Sequence, residues 1–371
     1  MRDTLGIIFA EDEGARMGEL TQVRSLAALP VAGRYRLIDF ILSNMVNSGI
    51  ANVGVATKYN YRSLMDHLGD GSPWDLNRKR YGLFILPPFY KQDENLASGS
   101  VETLRRIMYY IRRSGQKHVL LADGNVVCNL SFDGMMERHL SANADITVAY
   151  ADVSSVEPYD STKDYLTVDS SGRITSIEKG SDYRRQPEKA LGFYLIDRGL
   201  LESLVETASV RGEKDIIGDV FAKQTEKLKI VGWKYDGYAK SIDDIADYYD
   251  FGMQLLSEGV RESLFESGLP VYTKVKDKVP ARYLKNSCVR NSMVADGCII
   301  DGCVENCILF RGVEIRKGCE VRNSIIMQDG RVMENCRLNH VIFDKQVFVN
   351  RDKTLSGDGN YPFVVGKNRR I

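Results

Sequence analysis

Neither sign of charge is in excess in this chain: 50 Lys and Arg stand against 50 Asp and Glu in 371 residues. Without a basic field there is no electrostatic footprint for nucleic acid or for anionic lipid. Apolar runs long enough to span a membrane are missing. The N-terminus lacks the basic, apolar and small-residue regions of a secretory signal, so the cytoplasm is the expected location. No C-x-x-C pair occurs among the seven cysteines, and a zinc site of the usual spacing is not encoded. Six of them (Cys288, Cys298, Cys303, Cys307, Cys319 and Cys336) fall in the last quarter. They read as small buried apolar residues, not as a disulfide framework.

What is present begins with a short apolar run, Leu5 to Phe9, that predicts a buried first strand. A polar loop follows, and then Leu37, Ile38, Ile41, Leu42, Met45 and Val46 make one helical stripe over 34–46. Gly49 stands where a helix end wants a left-handed residue. Further strands are expected at 52–57, 84–88, 118–122, 145–153, 166–168, 174–179, 191–196 and 229–238. Helices are expected at 59–68, 102–113, 132–140, 198–208, 219–227 and 245–256. Strands alternating with helices imply a largely parallel sheet covered on both faces, an α/β nucleotide-binding domain over 1–256. The run from His118 stops at Asp123-Gly124-Asn125, the carboxyl edge where open α/β sheets bind ligands.

A linker is expected over 257–280. Beyond it the helical period vanishes and apolar residues recur every six, at Cys307, Val313, Cys319 and Ile325, and at Ile326, Val332 and Leu338. Asn-Ser steps and glycines fill the gaps. That hexad predicts a left-handed parallel β-helix over 281–371, a surface suited to oligomerisation.

The opening segment resembles the ADP-glucose pyrophosphorylases (glucose-1-phosphate adenylyltransferases). The resemblance rests on Gly14, Arg16, Leu20, Thr21, Gly33, Tyr35, Arg36, Ile38, Asp39, Phe40, Leu42, Ser43, Asn44 and Asn47 to Ile50, and on the stretch from Gly71 to Arg78. It implies a nucleotidyltransferase-like Rossmann domain followed by a left-handed β-helix. It also implies a reaction in which glucose 1-phosphate attacks the α-phosphorus of ATP, catalysed by positioning and charge neutralisation. Family members use a glycine-rich loop under the triphosphate, a lysine on the phosphates and two aspartates that hold magnesium.

Those positions are replaced here. The paired glycines of the loop fall on Glu11 and Asp12, with Glu13 as a third acid. At about 5 Å and an effective dielectric of about 20, each carboxylate–phosphate charge pair costs roughly 3 kcal/mol. The lysine falls on Leu26, and the two metal aspartates on Asn125 and Ser241. Amide and hydroxyl are weak magnesium ligands beside carboxylates. The resemblance keeps Glu178, Lys179 and Gly192 as candidates for a vestigial sugar-phosphate site, although Lys179 also reads as a solvated strand-end lysine.

The resemblance and its departures together imply a regulatory, non-catalytic subunit without a metal cofactor, predicted inactive alone. Its partner would be the catalytic subunit, in a heterotetramer, with a homo-oligomer possible when alone. An anionic sugar-phosphate effector is implied, with Arg24, Arg36, Arg369 and Arg370 as candidates for its site. Two alternatives stand beside this reading. Asp123 and Asp243 each lie two residues from a lost ligand position and could form a displaced metal site in an active enzyme. A hexapeptide-repeat acyltransferase would need a histidine on the coil, and His340 is the one histidine there.

Overall fold

A computed structural model describes residues 1–10, 16–87, 99–152, 163–180 and 188–371. The chain forms two compact units. One is Met1–Glu11, Ile41–Lys58 and Asp70–Ala239; the other is Asp12–Phe40, Tyr59–Gly69 and Lys240–Ile371.

The first unit is built on a nine-stranded sheet. Its strands are β1 (Thr4–Phe9), β2 (Asn52–Ala56), β3 (Gly82–Leu86), β4 (His118–Asp123), β5 (Ile146–Ala151), β6 (Asp164–Val168), β7 (Ile174–Lys179), β8 (Glu188–Asp197) and β9 (Ile230–Lys234). They run in the order β7-β6-β8-β4-β1-β2-β3, with β5 paired to both β8 and β9. β1 pairs in parallel with β2 and β4, whereas β8 is antiparallel to β4 and β5, so the sheet is mixed and mostly parallel. Leu5, Ile7, Val119 and Leu121 are fully buried, as continuous apolar strands covered on both faces require. One covering helix, Ser100–Arg113, turns Val101, Leu104, Ile107, Met108 and Ile111 inward. Another, Arg198–Arg211, is capped by Asp197, whose side chain accepts from the Gly199 and Leu200 amides.

In the second unit the chain from Arg282 winds through three five-stranded parallel sheets, a parallel β-helix. Cys307, Val313, Cys319, Ile326, Val332 and Leu338 fill its interior. Corners are made by asparagines in the left-handed region, Asn291 (φ 40°), Asn306 (φ 53°) and Asn323 (φ 47°). Their side chains stack into a ladder with Asn339, at 2.8, 3.2 and 2.9 Å. No helix among the described residues is long and apolar enough to cross a membrane.

Several local expectations need correction. The first helix spans Leu37–Asn47 and not 34–46, because Pro30–Val31 and Tyr35–Arg36 pair as a hairpin around Ala32 (φ 49°) and Gly33 (φ 75°). The helix expected from Tyr59 starts at Arg62, since Asn60 sits at φ 51°. The helix expected at 219–227 is replaced by a π-turn, Ile216–Phe221, and a 3-10 turn, Ala222–Gln224. There the Asp219 carboxylate accepts from the Lys214 and Asp215 amides and starts the turn early. The last expected helix stops at Gln254, and Glu258–Phe265 forms another helix inside the expected linker. Of the six clustered cysteines, Cys303 is exposed and Cys288 half-buried, because both point outward from neighbouring coils.

Candidate functional site

The carboxyl edge of the first unit's sheet gathers the residues expected to meet substrate. β4 ends in Asp123, β6 begins at Asp164, β7 ends in Lys179 and Gly192 lies on β8. Gly192 has φ +74°, and a Cβ there would stand 2.3 Å from Asp123 Oδ2. The close approach of strand to carboxylate thus depends on glycine. Lys179 Nζ donates to Asp215 Oδ2 at 2.7 Å. Asp215 is itself fixed as the cap of the π-turn, accepting from the Ile217 amide. Glu178 is exposed and accepts from Ser176 Oγ.

Electrostatics at this edge run against a phosphate. Burial, and then Asp164, push the Asp123 carboxyl up to about 7. Burial, and then Asp215, push Asp164 up to about 6. Two lysines, Lys163 and Lys179, act on these aspartates, and Lys179 is already in an ion pair with Asp215. A phosphate on Lys179 must displace Asp215 and enter the field of Asp164.

The positions that the resemblance marks as replaced are placed as follows. Asn125 is half-buried in the turn after β4, and Ser241 is nearly buried at the end of a short strand, Ala239–Ser241. Leu26 opens a 3-10 turn, Leu26–Ala28, and its carbonyl accepts from the Leu29 amide. Glu11 and Asp12 lie outside the described residues. An amide and a hydroxyl, at the two positions where the resemblance expects metal carboxylates, do not fit a magnesium ion. Among the described residues no group of three or more His, Cys, Asp or Glu is arranged to hold a metal. Asp243 is half-buried, and its amide donates to Asp247.

The second unit carries a cavity of about 40 Å³. Its lining includes Arg34, Arg36, Lys274, Lys276, Arg311 and Lys345, with His67, and contains no carboxylate. None of those six cations makes an ion pair among the described residues. Arg36 Nη1 donates to Ser63 O at 2.7 Å and Ser63 Oγ at 3.0 Å, which aims its guanidinium. Lys274 Nζ donates to the Asp66 carbonyl. Arg311 is 6 % exposed, and its Nε has no hydrogen-bond partner. Asp39 holds the wall in place: its carboxylate accepts from the Arg36 amide at 3.0 Å and lies 2.6 Å from His67 Nε2. Burial, then Asp39's opposing pull, leave His67 below its ordinary value. Burial pushes Arg36 down to about 10 and, aided by Arg36 and Arg24, Lys345 to about 7. Arg311 is buried, Arg36, Lys274 and Lys345 are half-buried, and Arg34 and Lys276 are exposed. The carboxylates that act on them, among them Asp39, Asp296 and Asp344, stand outside the lining, so an anion placed among the cations relieves their repulsion.

Of the four arginines expected at an effector site, only Arg36 lines this cavity. Arg24 is fully buried and paired with Asp344 at 2.8 Å. Arg369 and Arg370 are exposed at the chain end, where Arg370 lies over the Phe348 ring. Arg34, Lys274, Lys276, Arg311 and Lys345 were not singled out from sequence, because the fold gathers them from distant segments. Lys274-Val275-Lys276 alone gave a local signal, two lysines at the spacing that puts both on one side of extended chain.

Comparison with known proteins covers both parts of the chain. Residues 5–251 match the Nucleotidyl transferase family. Residues 278–360 match the family described as GlmU-like, C-terminal hexapeptide. The chain is similar to the Glycogen biosynthesis protein GlgD of Bacillus subtilis (strain 168), 37% identical over 363 residues, which is 98% of this chain and 95% of the relative. The protein of the same name from Geobacillus stearothermophilus is 40% identical over 318 residues, 85% of this chain and 82% of its own. The Glucose-1-phosphate adenylyltransferase of Halalkalibacterium halodurans is 32% identical over 323 residues, covering 85% and 82%.

Proposed function

We propose that this chain, which belongs to the ADP-glucose pyrophosphorylase family, serves glycogen biosynthesis as a regulatory subunit. It associates with a catalytic subunit that makes ADP-glucose from ATP and glucose 1-phosphate, and it turns over no substrate alone. The observation that carries this reading is the chemistry at the expected catalytic edge. On the resemblance, Asn125 and Ser241 fall at the metal-carboxylate positions and Leu26 at the phosphate lysine, and Lys179 is tied to Asp215. What remains for function is packing against a partner and response to a ligand, a coupling free energy between sites. The cavity lined by Arg36 and Lys345 supports an anionic effector such as a sugar phosphate. A heterotetramer with the catalytic subunit is the assembly proposed.

The test is an ADP-glucose assay with ATP, glucose 1-phosphate and magnesium, run on the chain alone, on a catalytic subunit alone and on the mixture. The reading expects a blank from the chain alone and a changed rate or effector response in the mixture. Turnover by the isolated chain at the rate of an ordinary family member would overturn it, and would direct attention to Asp123 and Asp243 as replacement carboxylates.

A further inference from the structure

The basic cavity has a property that does not depend on which anion fills it. Five of its residues bring cations to a sixth, Lys345. Arg36 faces Lys345 from the hairpin at 30–36, Arg24 from the segment before it and Lys276 from the extended chain at 274–276. His67 lines the same cavity from the helix Arg62–Leu68. The one carboxylate that acts on Lys345 is Asp344, whose Oδ2 has no hydrogen-bond partner and whose Oδ1 is committed elsewhere. Its Oδ1 accepts from Arg24 Nη2 at 2.8 Å and from the Lys345 backbone amide at 2.6 Å. The Lys345 amine has no hydrogen bond or ion pair among the described residues.

We propose that Lys345, gathered with the other cations of the cavity and without a partner for its amine among the described residues, takes up one proton when an anion binds, so that the site reads anion and pH together. This rests on the anion-site reading of the cavity. The proton comes from solvent and stays on Nζ, and no covalent bond changes.

The physical reason is that arginine keeps its charge when buried, whereas lysine gives its proton up. Gathering Lys345 with Arg36, Arg24 and Lys276 costs least if the lysine goes neutral. Burial comes first among the causes that bring Lys345 down to about 7, followed by Arg36 and Arg24, with Asp344 opposing. Lys276 is lowered by burial and then Arg36, and Asp329 pulls the other way. His67 is lowered by burial, with Asp39 pulling the other way. A dianion in the cavity favours the ammonium and raises the amine's affinity for its proton. Binding therefore weakens as pH rises through about 7, by at most tenfold per pH unit.

Sulfate is the probe, because its own charge does not change across the range used. Calorimetry of the full chain in two buffers of different ionisation enthalpy, at about pH 7.5, counts the protons taken up. The expected count is between half and one per sulfate, with Kd rising several-fold between about pH 6.5 and 8.5. Lys345→Arg should keep sulfate binding, show no uptake and lose the pH dependence above about pH 7. Lys345→Gln, which adds no bulk, should bind sulfate more weakly and also without uptake. Uptake persisting in both variants, or absent from the unaltered chain that binds sulfate, would overturn the proposal alone. No sulfate binding at any pH would overturn the anion-site reading with it.

Discussion

Asp123 is a carboxyl that folding holds against its own ionisation. Its position at the end of β4, pressed against Gly192, was legible as a strand end from the sequence; its protonation was not, because burial is set by β6 and β8. Folding raises it from an ordinary 3.8 to about 7, so the folded state binds the proton more tightly than the unfolded chain. The stability this gives is fully present below about pH 4 and is lost as pH rises through about 7. Asp123→Asn should therefore raise the melting temperature by a few degrees at about pH 8 and leave it nearly unchanged at about pH 4. A melting-temperature difference of the same size at both pH values would show that burial does not perturb this group. Arg36 illustrates the opposite case of legibility. Its place in the Tyr35-Arg36 motif marked it from the residues alone, whereas Lys345 sits in a coil whose hexad reports only which residues face inward.

At the scale of elements, period decided what could be read. The hexad steps from Val313 to Cys319 and from Ile326 to Val332 name the interior of the β-helix because one side of every coil must be apolar. Period says nothing of corners, and the corners carry the specificity. Asn306 holds φ 53° and joins Asn291 on one side to Asn323 on the other. Asn306→Ala removes both bonds and puts a Cβ without compensation in the left-handed region, a loss of about 2–3 kcal/mol. Asn306→Gly removes the bonds but accepts the backbone, and should cost about 1–2 kcal/mol. Chemical denaturation of the two variants beside the unaltered chain checks the order. Alanine proving milder than glycine would show that the left-handed backbone at this corner contributes nothing to the cost. The turn at Ile216–Phe221 was misread as a later helix because Asp219 reaches backward to two amides, a preference that apolar spacing does not report.

The molecule as a whole does not divide where composition changes. A boundary near residue 256 follows from the shift in texture, yet the unit that holds the β-helix also takes in Asp12–Phe40 and Tyr59–Gly69. A fragment of residues 1–256 keeps those two segments and loses their coils. It should bind a hydrophobic dye and be cleaved by protease first within 16–40 or 59–69. A monomeric, protease-resistant fragment would make the composition boundary the folding boundary as well. The basic cavity has the same origin, since its cations come from residues 34–36, 274–276, 311 and 345. No window of the sequence contains it.

Arg24 and Asp344, shut away from water as a pair, lie 320 residues apart along the chain. At about 5–20 residues per second, the ribosome delivers the arginine roughly 15–60 seconds before its aspartate. Through that interval the opening segment exists without the charge that neutralises it, and cannot take its final place. A segment of this protein that is made early is thus finished late, and its completion waits on an aspartate made 320 residues after it.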